Sequence, residues 1–544
     1  MPVVAGGPAA ASATAVIGAR EGRAPVSGAR GPVPTPSPGA RGPVPTPSPG
    51  ARGPAGTGPA GPARRGSTLR SVRLTALLPP LLTDPVIADL VADAGRRRRT
   101  DRSAVVAAGA RPAVLAAMAY GEEGVARAVG AAARETPARP APDRDAAGRE
   151  TPAPADRTDP PPAAPAPAPG AGAAGGTPLL VVTATTREAE ALSAALTCYA
   201  PGTDIAVFPA WETLPHERLS PRADTVAARL AVMRRLAHPE DGDAGPARPA
   251  DPSRGPIRIL ITPVRALLAP VIEGLGELEP IRLDAGLDVG LEATAARLAD
   301  AAYTRVDMVE NRGEFAVRGG ILDVFPPTLA RPVRVDFFGD EIESVSSFAV
   351  ADQRTIEEVG AVTATACREL LLTDAVRARA RALTDSIPGA ADMLDKIADG
   401  IAVEGMESLA PVLAGRMVPL LDLVGDRLVV ALEPERLRRR AEDLVATTAE
   451  FLAAAWTSAA SGGRAPVDLS AAAFAPLGQA RALALSTNRG WWSLTSLKAG
   501  PDALELPLRD PRGYAGRLDE AVADLGALAR GGWSVVVATD GPGP

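Results

Sequence analysis

The sequence predicts an α/β protein built on a parallel sheet, and three observations predict it. Short apolar runs such as PLLVVT, IRILIT and LVVAL have the length of buried strands and are bounded by turn residues. Segments with helical apolar spacing follow them, as in TREAEALSAAL and VRALLAPV, so strand and helix alternate. Between about 290 and 365 the alternation stops and hairpin-like strands replace it, which predicts a separate small α+β unit.

The 544 residues leave room for roughly three or four domains. Hydrophobic residues make up 46% and charged residues 22%, a globular balance. The net charge of −6 argues against a strong non-specific grip on nucleic acid. The two cysteines, Cys198 and Cys367, and the two histidines, His216 and His238, show no metal-ligand spacing, so no metal site is expected. No apolar run approaches the roughly 20 residues of a membrane span, and the N-terminus lacks a signal-peptide pattern. A cytoplasmic protein without a membrane partner is expected.

Residues 1–70 repeat GARGPVPTPSP and are nearly without large apolar side chains, so they are expected to form a disordered tail. Order is expected from Leu74, with a helix after Asp84 in LTALLPPLLTDPVIADLVADAG. AVVAAGARPAVLAAMA reads as a strand, a turn at Gly109 and a helix opened by Pro112. The Pro/Ala-rich block 135–176 reads as a disordered insertion in a first domain spanning 71–285. The hairpin region is placed at 286–365. Helices and then a strand with a long helix fill 366–460, and a further small α/β domain is expected over 465–544. WSVVVATD followed by GPGP looks like a strand left without its covering helix, so the chain is expected to be truncated there.

A phosphate loop needs glycines, a lysine and a hydroxyl at G-x-x-x-x-G-K-[ST]. The turn at Gly109 has neither the lysine nor the hydroxyl, and Pro112 removes an N–H donor. No apolar strand ends in an acidic pair to hold a metal. Nucleotide hydrolysis by these residues is therefore not expected. No G-x-S-x-G elbow appears, and His216 in ETLPHERLSPRADT reads as a solvent-facing loop residue. Trp491-Trp492 offers base stacking or, more simply, packing.

The hairpin region offers a binding surface. In VRVDFF, Val333, Val335 and Phe337 share one face, while Arg334, Asp336 and Phe338 share the other. In EFAVR, Phe315 and Val317 are expected inward, and Glu314, Ala316 and Arg318 outward. If the strands pair, Arg318, Arg334 and Phe338 lie on one exposed patch, the composition of a protein–protein hot spot.

FPAWETLPHERLSPRADTVAARLAVMRRL, AAYTRVDMVENRGEFAVRGGILDVFPP and RPVRVDFFGDEIESVSSFAVADQRTIEEV resemble the N-terminal module of the bacterial transcription-repair coupling factors (Mfd). GMESLAPVLAGRMVPLLDLV and DLVATTAEFLAAAW extend the resemblance over about 74–544. It implies a degenerate RecA-like, UvrB-like domain with a small α+β domain inserted into it, followed by a further small α/β domain. It also implies that the inserted domain binds UvrA through residues matching Arg318, Arg334 and Phe338. Gly319 would keep the backbone there accessible.

The family as a whole implies a factor of transcription-coupled nucleotide excision repair. In it, an RNA-polymerase-binding domain and an ATP-driven motor on double-stranded DNA lie beyond this segment. ATP and Mg are expected only in that motor, and no cofactor in this chain. Two rival readings stand beside the recruiting module. One is a DNA-dependent ATPase or UvrB-like damage-handling enzyme. It is disfavoured by the missing lysine and by a tyrosine-free FPAWETLPHERLSPRADT, where UvrB carries a tyrosine-rich hairpin. The other is a self-inhibitory domain that docks on the motor.

Overall fold

In a computed structural model the chain is described over residues 13–18, 74–96, 101–135, 176–201, 204–241, 251, 253–387, 389–461, 466, 469, 473–498, 500–510, 512–514 and 516–538. Most of the expected tail (1–70) and of the expected insertion (135–176) lies outside these residues. Within the tail segment, Ala13–Gly18 is a strand paired in parallel with Trp533–Ala538.

The first strands are β1 (Asp101–Val105), β2 (Leu179–Thr183), β3 (Ile205–Val207) and β4 (Ile259–Pro263). The hairpin region contributes β5 (Thr304–Arg305), β6 (Glu314–Arg318), β7 (Ile321–Val324), β8 (Val333–Phe338), β9 (Glu341–Phe348) and β10 (Thr355–Glu358). The chain then supplies β11 (Leu428–Leu432), β12 (Trp491–Thr495) and β13 (Leu504–Glu505). Seven of these form one sheet in the order β13–β1–β12–β11–β2–β4–β3, with every neighbouring pair parallel.

The apolar runs are continuous because helices cover both faces of this sheet. Leu180 and Val182 of β2 enter one core, and Leu179 and Val181 enter the other. Trp491 and Trp492 split the same way, each buried, so both rings pack rather than stack on a ligand. Asp84 caps the helix Pro85–Ala94 by accepting from the N–H groups of Val86 and Ile87. Among the described residues no single helix is long and apolar enough to cross a membrane.

The chain leaves this sheet after β4 and returns at β11. Between them, β5–β10 form a six-stranded sheet in the order β10–β9–β8–β7–β6–β5, antiparallel except for β5–β6. The helix Leu291–Asp300 packs Ala295 and Leu298 against it, with Phe315, Leu322, Val333 and Val335. Ile281–Asp284 pairs antiparallel with Ala361–Ala364 where the chain enters and leaves. The unit therefore begins about five residues before the expected boundary at 286. At its exit, Glu369 meets Arg229 in a buried ion pair and accepts from Trp211 Nε1 at 3.0 Å.

The segment 465–544 does not stand apart as expected. β12 lies inside the main sheet, between β1 and β11, and β13 extends its edge. The reason is order in space: apolar strands close late in the chain complete a parallel sheet begun early, which local pattern does not reveal. His216 is half-buried rather than solvent-facing.

Candidate functional site

The six-stranded sheet presents one face to the helix Leu291–Asp300 and the other outward. Strand register decides what meets on the outer face. Gly319 and Gly320 form the two-residue turn between β6 and β7, which sets Arg318 opposite Ile321. Gly319 adopts φ +61°, a left-handed turn conformation, and a Cβ there would meet nothing. Gly320 is the tight position: its carbonyl accepts from Phe337 N at 2.8 Å, and an added Cβ would sit 3.0 Å from Phe337 O. The expected role of Gly319 thus divides between a turn residue and a close-approach residue.

The same register puts Ala316, Asp323, Arg334 and Ser346 in one row across β6, β7, β8 and β9. Arg318, Ile321, Asp336 and Ser344 form the next row toward the sheet's end. Phe338 pairs with Glu341 across a turn whose first residue, Gly339, has φ +65°. That is the glycine position of a type II′ turn.

Asp323 organises the face. Its side chain is 1% exposed, yet it is flanked by both expected arginines. Arg334 donates from Nε and Nη2 to Asp323 Oδ1 and Oδ2 at 2.7 and 2.9 Å, a bidentate pair. Arg318 Nη2 donates to Oδ2 at 2.8 Å. Arg334 Nη1 donates to the Gln353 carbonyl at 3.3 Å, and its guanidinium lies 4.9 Å from the Phe348 ring centre. The hydrogen bonds to Asp323 raise the Arg334 pKa above its ordinary value. Arg318 is 50% exposed and Arg334 19%.

Phe338 is 79% exposed, while Phe337 beside it is half-buried against the inner core. The structure therefore brings Arg318 on β6 and Arg334 and Phe338 on β8 onto one face of the sheet, as the strand phase predicted for β8. Ala316 departs from expectation. It is buried in a second small core with Val309, Phe325 and Phe348, because the loop before β6 folds over this part of the outer face. The free surface is correspondingly narrower, confined to the Arg318–Phe338 end.

Pattern reading missed Asp323. Part of the signal was present, because the Gly-Gly turn fixes the register that opposes Asp323 to Ala316, but its pairing with Arg334 rests on the separate β7–β8 register.

The strand–helix turn at Gly109 is occupied by the protein itself. Asp510 accepts from the backbone N–H groups of Gly109 and Ala108 at 3.0 and 3.3 Å. These are donors that a phosphate loop would direct at its ligand. Arg111, at the start of the following helix, pairs with Glu433 and donates to Ser496 Oγ at 2.8 Å. Burial alone would raise the Glu433 pKa; hydrogen bonds from Ser496 and Arg111 outweigh it and hold it below its ordinary value.

Residues 281–369 match the model of the UvrB interaction domain. Transcription-repair-coupling factors of Mycobacterium bovis and Mycobacterium tuberculosis are each 48% identical over 383 residues, covering 66% of this chain and 30% of theirs. The factor of Myxococcus xanthus is 35% identical over 250 residues, 43% of this chain and 20% of its own. The chain thus spans about 30% of the length of the mycobacterial relatives.

Proposed function

This chain is a relative of the transcription-repair coupling factors, and on that premise we propose that its Arg318–Arg334–Phe338 face recruits UvrA to sites of transcription-coupled repair. The observation that carries the reading is the exposed Phe338 on the same sheet face as two arginines already oriented by a buried carboxylate. An exposed aromatic ring sharing a face with preordered guanidiniums is the composition of an interface hot spot. Catalysis has no part in this role. The amides of the degenerate phosphate turn are engaged by Asp510, which supports a RecA-like scaffold that binds through its inserted domain. In a longer protein of this family, displacement of RNA polymerase and ATP-driven movement on double-stranded DNA would belong to other domains, and the whole would work in the cytoplasm.

The test is a binding measurement with purified UvrA, comparing the wild type with Arg334→Ala and Phe338→Ala. Each substitution is expected to cost about 2 kcal/mol or more, a drop of roughly thirtyfold. Wild-type affinity in both variants overturns the assignment.

A further inference from the structure

A second surface, on the main sheet rather than the hairpin unit, offers a different chemistry. Past the carboxyl ends of β2, β3 and β4 lies an open cleft of about 580 Å³. Its walls come from Thr185 after β2, Trp211 after β3, Arg265 after β4, and Arg440 on the long helix Pro434–Ala460. In open parallel sheets this end of the strands is where ligands bind, because loops diverge there and leave a crevice. The volume falls within the range of small-molecule sites.

The charges in the cleft are unevenly matched. Four arginines line it: Arg187, Arg222, Arg265 and Arg440. Arg222 is held by Asp224 through Nε and Nη2 at 3.1 and 2.7 Å. The carboxylate of Glu212 accepts from Thr225 Oγ1 and from the Arg222 backbone N–H. Arg265 donates only to the backbone carbonyls of Glu212 and Thr213.

Among the described residues neither Arg187 nor Arg440 pairs with a carboxylate, although Glu190 also lines the cleft. Burial, and after it the charge of Arg440, lowers the Arg265 pKa, with Glu217 and Glu212 offsetting part of the effect. Two like charges thus act on each other in a confined space, and a third guanidinium stands nearby without a counterion. An anion in the cleft would relieve that repulsion and accept charge-assisted hydrogen bonds.

We propose that this cleft binds phosphate groups, carried either by a nucleotide or by a DNA backbone. The recognising groups are Arg187, Arg265 and Arg440. The site is independent of the UvrA-binding reading, since it lies on the main sheet and shares no residue with that face.

The experiment measures binding of three probes to the full chain by calorimetry or fluorescence anisotropy. They are inorganic pyrophosphate, ATP in the presence of EDTA, and a fluorescein-labelled single-stranded DNA 20-mer. At least one is expected to bind saturably, with affinity falling as salt rises. The double variant Arg187→Ala/Arg440→Ala is expected to weaken that binding about tenfold or more. Both side chains are exposed, so thermal melting should not change. Arg438→Ala is the control, because Arg438 is paired with Glu435 and Glu442 and lies outside the cleft.

Pyrophosphate displacing the DNA identifies the backbone as the ligand. ATP binding more tightly than pyrophosphate identifies a nucleotide. Absence of saturable binding by all three probes, or equal losses in the double variant and the control, overturns the proposal.

Discussion

Replacing Asp323 tests whether the two arginines act as separate surface charges or as one constructed unit. The carboxylate is almost fully buried and accepts three charge-assisted hydrogen bonds, two from Arg334 and one from Arg318. Bonds to charged groups contribute about 1.5–3 kcal/mol each where solvent is excluded. The Arg334 bonds qualify in large part. The Arg318 bond is discounted to about 0.5 kcal/mol, because that side chain is half exposed and screened. Asp323→Ala is therefore expected to destabilise the six-stranded unit by about 3 kcal/mol, the low end of the range for breaking a buried pair.

The described tryptophans lie outside the small sheet, so hydrogen exchange of its strands is the suitable readout. A loss of about 3 kcal/mol accelerates the slowest amides of β7 and β8 by roughly a hundredfold. Asp323→Asn keeps the shape and removes the charge. It is expected to reduce UvrA affinity as much as Arg334→Ala does, although Asp323 itself scarcely reaches solvent. Wild-type UvrA affinity in Asp323→Asn, alongside a clear loss in Arg334→Ala, would refute the idea that the carboxylate presents the arginines.

Phe338→Ala should leave hydrogen exchange and melting within about 0.5 kcal/mol of wild type, since the ring is mostly in water, while UvrA binding falls. A thiol titration should separate the two free cysteines. Burial pushes the Cys367 thiol up to about 12, so raising the pH from 7 to 9 leaves it unreactive until the protein is unfolded. Cys198 is half-buried, also with a raised pKa, and should react slowly and faster at the higher pH. Asp510→Ala removes the acceptor from the Ala108 and Gly109 amides and should cost about 1 kcal/mol, the usual size of a lost helix cap, read as a lower melting temperature.

Strand phase was the most legible feature of the sequence. A period of two is local, so VRVDFF sufficed to turn Arg334 and Phe338 away from Val333 and Val335. The phase stays legible despite the bulge after Asp336, because the extra residue falls on the partner strand β9. What covers a face is not local. Ala316 alternates like an outward residue, yet Val309 and Phe348 close over it from 7 and 32 positions away. Asp323 was hidden for a related reason: ILDVF looks like a buried run with one polar interruption, and only pairing with β8 shows that the interruption neutralises two guanidiniums. The main sheet was legible as strands and helices, but not in its order. Trp491–Thr495 belongs between β1 and β11, and no feature of WWSLT names those neighbours.

The two arginines of the face are not equivalent, and the difference bears on how it would bind. All three nitrogens of Arg334 have partners: Nε and Nη2 on Asp323 and Nη1 on the Gln353 carbonyl. Its plane also rests against Phe348, so its orientation is settled before any partner arrives. Arg318 engages Asp323 through Nη2 alone and keeps most of its donors in water. Arg334 with Asp323 is thus a rigid base, and Arg318 is the arm with hydrogen-bonding capacity to give. A guanidinium already anchored loses less side-chain entropy on binding than a free one. Its charge is also partly balanced, which lowers the desolvation penalty at an interface. Phe338 then supplies the apolar area that an all-polar patch would lack. A single buried carboxylate therefore accounts for why arginine and an exposed ring share this edge of the sheet.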